Sequence, residues 1–106
     1  MTRGTNPTFK RTYQKLLTFC EAAFWQGETQ IVVSPTVTPT NDGCEIVITL
    51  SQEQTLAFTP GYLQWQIRGI CEDGAVASAP YTEIVEDVKP DGKIEEEQDE
   101  VEQQSV

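Results

Sequence analysis

The chain contains no histidine. That removes the side chain most used as a general base near neutral pH and the commonest nitrogen ligand for metals. Its three cysteines, Cys20, Cys44 and Cys71, are separated by 23 and 26 residues. No Cys-x-x-Cys pair exists, so a zinc site lacks both its spacing and its histidines. An odd number of cysteines argues against a closed disulfide framework, and three free thiols are expected. Basic residues are few, seven Lys and Arg against seventeen Asp and Glu for a net charge of −10. Nucleic acid is therefore not expected as a direct partner, because its binding needs a basic surface. The longest near-apolar run, Leu16–Trp25, is interrupted by Thr18 and Glu21 and falls short of the roughly 20 residues of a membrane span. Met1-Thr2-Arg3-Gly4 leads into polar sequence, so no signal peptide and no membrane partner are expected.

Catalytic patterns are missing as well. Ser51 stands between Leu50 and Gln52 with no Gly-x-Ser-x-Gly turn around it. No glycine-rich phosphate loop occurs. Glu21 and Glu45 are the acids inside apolar strands, and nothing ties them into the paired-carboxylate arrangement of a glycosidase. The expectation is a non-enzyme with no catalytic residue, no metal ligand and no cofactor.

What is present is β-patterning. Cys44, Ile46, Ile48 and Leu50 alternate with Glu45, Val47 and Thr49, and Leu63, Trp65, Ile67, Gly69 and Cys71 alternate with Gln64, Gln66 and Arg68. A period of two places one face of each strand in a core, where Cys44 and Cys71 act as small hydrophobes. Between these strands, Ser51-Gln52-Glu53-Gln54 reads as a capping box opening a short helix through Phe58, stopped by Pro60-Gly61. Phe9, Arg11 and Tyr13 against Thr8, Lys10 and Thr12 mark a first strand from Pro7.

Lys15–Gln26 has two readings. Leu16, Phe19, Cys20, Ala23 and Phe24 recur at helical spacing, yet a strand here turns at Gly27 and pairs with Thr29–Ser34, which otherwise has no local partner. The strand is the preferred reading. Ser34–Gly43, with two prolines and Asn-Asp-Gly, reads as a loop ending in a turn. Glu72-Asp73-Gly74 marks a hairpin. Pro80 consigns the following strand, Ala75–Val85, to an edge or a bulge.

The charge is uneven. Residues 1–85 carry eight acids and five bases, for −3, whereas residues 86–106 carry nine acids and two lysines, for −7. Lys89-Pro90-Asp91-Gly92 reads as a turn, and Glu95–Gln104 is almost entirely acid and glutamine, a composition that favours disorder. The expected organisation is a polar lead-in without core residues over 1–6, a β-sandwich over 7–86 and an acidic tail over 87–106. The tail reads as a solvated segment, a docking segment for a basic surface, or a nucleic-acid mimic.

Among the aromatics, Trp65 is in phase with Leu63 and Ile67 and belongs to the core. Tyr62 is out of phase and exposed, and Trp25 lies next to a turn. Trp25, Tyr62, Pro80 and Tyr81 are the candidate interface residues, since tryptophan and tyrosine are enriched at binding hot spots.

Several of these pieces occur together elsewhere. The string Arg3-Gly4-Thr5-Asn6-Pro7-Thr8, the segment Phe24-Trp25-Gln26-Gly27, the capped turn Leu50–Phe58, the strand Gln66-Ile67-Arg68, the pair Ala77-Ser78 and the closing Lys89–Ile94 resemble small proteins encoded by phages and prophages of Gram-positive hosts. The resemblance covers about residues 3–94. It implies an immunoglobulin-like or jelly-type β-sandwich, similar to N-terminal domains of phage upper-baseplate proteins, and it carries over no catalytic residues. Two departures stand out: the turn at Gln26-Gly27-Glu28 is short, and the acidic tail is long.

The expectation is therefore an all-β protein: a small antiparallel immunoglobulin-like sandwich of six or seven strands with one short helical turn and a disordered acidic C-terminal tail. The expected function is that of a phage structural accessory protein of the tail or baseplate region. It would be partnered with other phage structural proteins, able to oligomerise through sheet edges (the first strand and the Pro80 strand), and located in the virion or in the host cytoplasm during assembly. Alternatives are an acidic regulator or inhibitor of a host DNA-binding protein, and a small carbohydrate-binding module.

Overall fold

A computed structural model describes residues 1–89 and 92–94. The element order is β1 (Thr8–Tyr13), β2 (Phe19–Gln26), β3 (Thr29–Val33), β4 (Thr36–Thr40), β5 (Gly43–Thr49), α1 (Gln52–Leu56), β6 (Gly61–Cys71), β7 (Gly74–Ala77) and β8 (Tyr81–Val85). The strands form two antiparallel sheets. One has the order β1-β5-β4; the other runs β3-β2-β6, with β7 and β8 both on the remaining side of β6. The architecture is an all-β sandwich with one short helix, as the alternation predicts, but with eight strands among the described residues rather than six or seven, because Thr36–Thr40 is a strand and Ala75–Val85 divides into two.

The inward faces meet in a single core. Cys44, Ile46, Ile48 and Leu50 come from one sheet and its exit, and Ala22, Phe24, Leu63, Trp65 and Ile67 from the other, all buried. Phe24 and Trp65 are paired across β2 and β6 and stack at 5.2 Å between centroids, with Phe9 of β1 tilted over Trp65 at 5.0 Å. Such aromatic contacts add about 0.5–1.5 kcal/mol each beyond the area they bury.

Lys15–Gln26 resolves as a strand from Phe19. The helical spacing of its apolar residues is overridden because β2 has partners on both sides, β3 and β6. Cys20, Ala22 and Phe24 then face inward while Phe19 faces out. Gly27 takes a φ of 57° in the two-residue turn to β3, the conformation that a primed hairpin turn assigns to glycine.

Ser34–Gly43 is not simply a loop. Thr36–Thr40 forms β4, paired with β5 from Thr36↔Val47 to Thr40↔Gly43. Pro39 is tolerated because β4 is an edge strand, with a sheet neighbour on one side alone. The segment Ala75–Val85 divides at Ser78–Pro80 into β7 and β8, which behave as one interrupted edge strand along β6. Ser78 repairs the break: its N–H donates to the Ile67 carbonyl (2.9 Å), and its hydroxyl accepts from the Ile67 N–H (3.1 Å).

The capping box is present in both halves. The Gln54 N–H donates to Ser51 Oγ (3.1 Å), and the Ser51 N–H donates to Gln54 Oε1 (2.8 Å).

Residues 1–6 do more than lead in. Thr2 makes a parallel bridge to Glu86, the Met1 ammonium donates to the Ile84 carbonyl (2.8 Å), and Met1 packs partly on the core. Arg3 then donates to the carbonyls of Phe58 (2.6 Å) and Leu56 (3.1 Å) and to Asp87 (2.9 Å). The polar residues thus satisfy the otherwise open carbonyls at the end of α1. At the other end of the chain, Lys93 pairs with Glu53 (3.1 Å), and the Ile94 N–H donates to Gln52 Oε1 (2.7 Å). Pro90 and Asp91 of the expected turn, and Glu95–Gln104 of the expected disordered tail, lie outside the described residues.

Candidate interaction surfaces

The four residues marked as an interface fall into two places. Pro80 and Tyr81 lie where the edge formed by β7 and β8 meets β1 on one open side of the sandwich. Arg11 of β1 bridges this seam. Its guanidinium carbon lies 4.6 Å from the Tyr81 ring centroid and 5.1 Å from that of Trp65, and the Trp65 and Tyr81 rings are themselves 4.4 Å apart. Arg11 Nη1 donates to the Lys10 carbonyl (2.7 Å). Beside it is a cavity of about 80 Å³ lined by Arg11 and Tyr13 of β1 and by Val76 and Tyr81 of β7 and β8, together with Leu17 and Ile46. The Trp65 indole N–H is buried without a hydrogen-bond partner among the described residues. A cation stacked on two rings closes the aromatic core where a third strand would otherwise do so. The sequence did hold a signal for this: Arg11 is in phase with Phe9 and Tyr13 on the inward face of β1.

Trp25 and Tyr62 lie on the other surface, the outward face of the five-stranded sheet, where they line one shallow groove with Gln64 and Thr82. Tyr62 is 72% exposed and Trp25 is half-buried. Phe19, Val32, Ile70 and Ile84 are also exposed on this sheet. Its charged outward positions are Glu21 and Arg68, which stand opposite each other across β2 and β6 and pair at 3.7 Å. The outward face of the three-stranded sheet is different in kind. It presents Thr8, Lys10 and Thr12 from β1, Thr49 from β5, and Thr36, Thr38 and Thr40 from β4, all exposed, with Glu45 and Val47 of β5 half-buried among them and the Thr8 and Thr49 hydroxyls 3.2 Å apart. One face is aromatic and aliphatic; the other is threonine-rich and also carries Lys10 and Glu45.

Among the described residues the sandwich has four sheet edges: β1, β4, β3 and the interrupted β7–β8. The first and the Pro80 strands are edges, as expected from the sequence. Three of the four carry features that blunt strand addition. β1 holds Lys10 and Arg11, β4 holds Pro39, and the last edge is broken at Ser78–Pro80 and covered near Ile84 by Met1–Arg3. β3, Thr-Gln-Ile-Val-Val, has no charge, proline or break. Sequence reading found this strand but not its position at an edge, which depends on β2 being taken up on its other side by β6.

The thiols of Cys20, Cys44 and Cys71 are free and buried. Burial, reinforced by nearby Cys44 and Glu21, pushes the Cys20 thiol up to about 11. The Cys44 thiol donates to the Lys15 carbonyl (3.3 Å). Lys15 itself pairs with Asp73 and, at 3.8 Å, with Glu72; the hydrogen bond to Asp73 raises its pKa. Among the described residues, no three His, Cys, Asp or Glu side chains are grouped to hold a metal ion, and no helix is long and apolar enough to cross a membrane. No family model, curated protein or solved structure matches the chain.

Proposed function

We propose that this chain is a structural accessory protein of a phage tail or baseplate region, acting through protein–protein contacts and located in the virion or, during assembly, in the host cytoplasm. The observation that carries the protein-contact reading is the contrast between the two outward faces. A sheet surface presenting Trp25, Tyr62, Phe19, Val32, Ile70 and Ile84, with one compensated ion pair, has the composition of a docking surface rather than of a solvated face. The threonine-rich face opposite has the composition of a surface left in water. Trp25 and Tyr62, which share a groove, are the anchors for a partner subunit. The phage setting rests on the resemblance of the motifs between Arg3 and Ile94.

The test is quantitative mass spectrometry of purified particles from the phage that encodes the chain. A fixed ratio to tail proteins supports the reading. Absence from particles, with abundant protein in the lysate, overturns it.

A further inference from the structure

We propose that β3 is a self-pairing edge, through which two copies of this chain join their five-stranded sheets into one continuous antiparallel sheet about a two-fold axis at Ile31. The proposal rests on the reading of the chain as a protein-contact module and names one of its partners, a second copy.

Three observations lead to it. First, among the described residues β3 is the edge without a device against strand addition, while β1, β4 and the β7–β8 edge each carry one. Second, the free backbone groups of β3 are regularly placed. The two-residue turn closes on the Gln26↔Thr29 pair. In such a hairpin the closing pair is hydrogen-bonded, and hydrogen-bonded and open pairs then alternate. Thr29, Ile31 and Val33 therefore direct their N–H and C=O groups to β2, and Gln30 and Val32 direct theirs to the free edge.

Third, this pattern is complementary to itself. Aligned antiparallel about Ile31, Gln30 of each copy meets Val32 of the other as a hydrogen-bonded pair, so every edge-facing group of Gln30 and Val32 finds a partner. The side chains match as well. Ile31 meets its own copy and Thr29 meets Val33 on the inward side, where Ile31 and Val33 already pack against the core and are only partly buried. Gln30 and exposed Val32 meet on the outward side. No charged residue lies on β3, so two copies of an acidic chain approach there without like charges directly opposed. Contacts of this kind, with the same patch on both subunits, are the commonest route to a closed dimer.

The register makes the test specific. Cysteines cross-link when their Cα atoms lie about 4.4–6.8 Å apart, which the two-fold pairing provides at position 31 but not at position 29. Under mild oxidation, Ile31→Cys is expected to form a covalent dimer on a non-reducing gel, whereas Thr29→Cys and the wild type, whose thiols are buried, remain single chains. Wild-type protein in sedimentation is expected at twice the chain mass of 11.8 kDa. Val32→Pro, which removes an edge-facing N–H and no bond to β2, is expected to halve that mass while keeping the wild-type circular dichroism.

A wild-type monomer at high concentration overturns the proposal, as does a dimer that survives Val32→Pro, or equal cross-linking at positions 29 and 31. Should Val32→Pro fail to fold, the cross-linking pair decides. Particle composition tests the wider reading independently: a monomer found in particles refutes the self-pairing alone, and a dimer absent from particles refutes the phage assignment alone.

Discussion

The guanidinium of Arg11 stands 4.6 Å over the ring of Tyr81 and so ties the first strand to the last across an open side of the sandwich. Arg11 also covers Trp65, whose ring is the centre of the aromatic core. The contact is part electrostatic and part packing of the aliphatic stem. Arg11→Ala is expected to lower stability by about 1–2 kcal/mol and Arg11→Met by less, since methionine keeps the apolar stem. Urea denaturation of the two variants measures the difference; equal losses would show that the apolar stem contributes nothing, and an unchanged Arg11→Met would show that the charge is irrelevant.

Ser51→Ala removes the hydroxyl that caps α1 and is expected to lower stability by about 1 kcal/mol. Gln54→Ala removes the reciprocal bond and is expected to have a smaller effect. An unchanged melting temperature in Ser51→Ala would mean that α1 does not need its cap.

Two glycines should respond very differently to alanine. A Cβ at Gly43 would lie 2.0 Å from the Tyr13 carbonyl oxygen, in a residue with φ of 152°. No side chain fits there without moving β1 from β5, so Gly43→Ala is expected to cost more than about 3 kcal/mol or to prevent folding. Gly27, with φ of 57° and nothing within 4 Å of a new Cβ, incurs only the backbone penalty of about 1–2 kcal/mol. Comparable melting temperatures for the two variants would contradict the close approach at Gly43.

Stability should fall at both extremes of pH, through different residues. The Val88 N–H and the Arg3 guanidinium hold the Asp87 carboxyl below its usual value. Its contribution is present above the unfolded carboxylate pKa and is lost as pH falls through the lower folded one. Asp87→Asn is therefore expected to flatten the acid limb. The Cys20 thiol is raised from 9.0 to about 11. Its unfolded form gives up the proton first, so its contribution is complete below pH 9.0 and declines toward about 11. Cys20→Ala is expected to flatten that alkaline limb in melting curves recorded across the interval.

Where one face of a strand is buried, the chain is legible from its alternation alone. Cys44–Leu50 and Leu63–Cys71 occupy the faces their period assigns, because a slip of one residue would expose the whole apolar set. The cap at Ser51 and the break at Pro80 are legible for the same local reason: each depends on a few adjacent residues. β4 was not legible, since its prolines and threonines become a strand only against β5. The clasp at Arg3 was hidden too, because its partners Leu56, Phe58 and Asp87 are more than fifty residues away in sequence. The same is true of the surfaces. Trp25 and Tyr62 read correctly as residues on a surface, but their common groove, and their separation from Tyr81, follow from the pairing of β2, β6 and β8.

Whether the outward face of the five-stranded sheet docks a partner subunit is decided by the amount of a Trp25→Ser, Tyr62→Ser double variant in purified particles. Both side chains lie outside the core, so the variant should fold with a melting temperature close to that of the wild type. The variant is expected to be made and folded in the lysate yet depleted from particles at least tenfold, a loss of about 1.4 kcal/mol or more of docking energy. Incorporation at the wild-type ratio would contradict docking through this face.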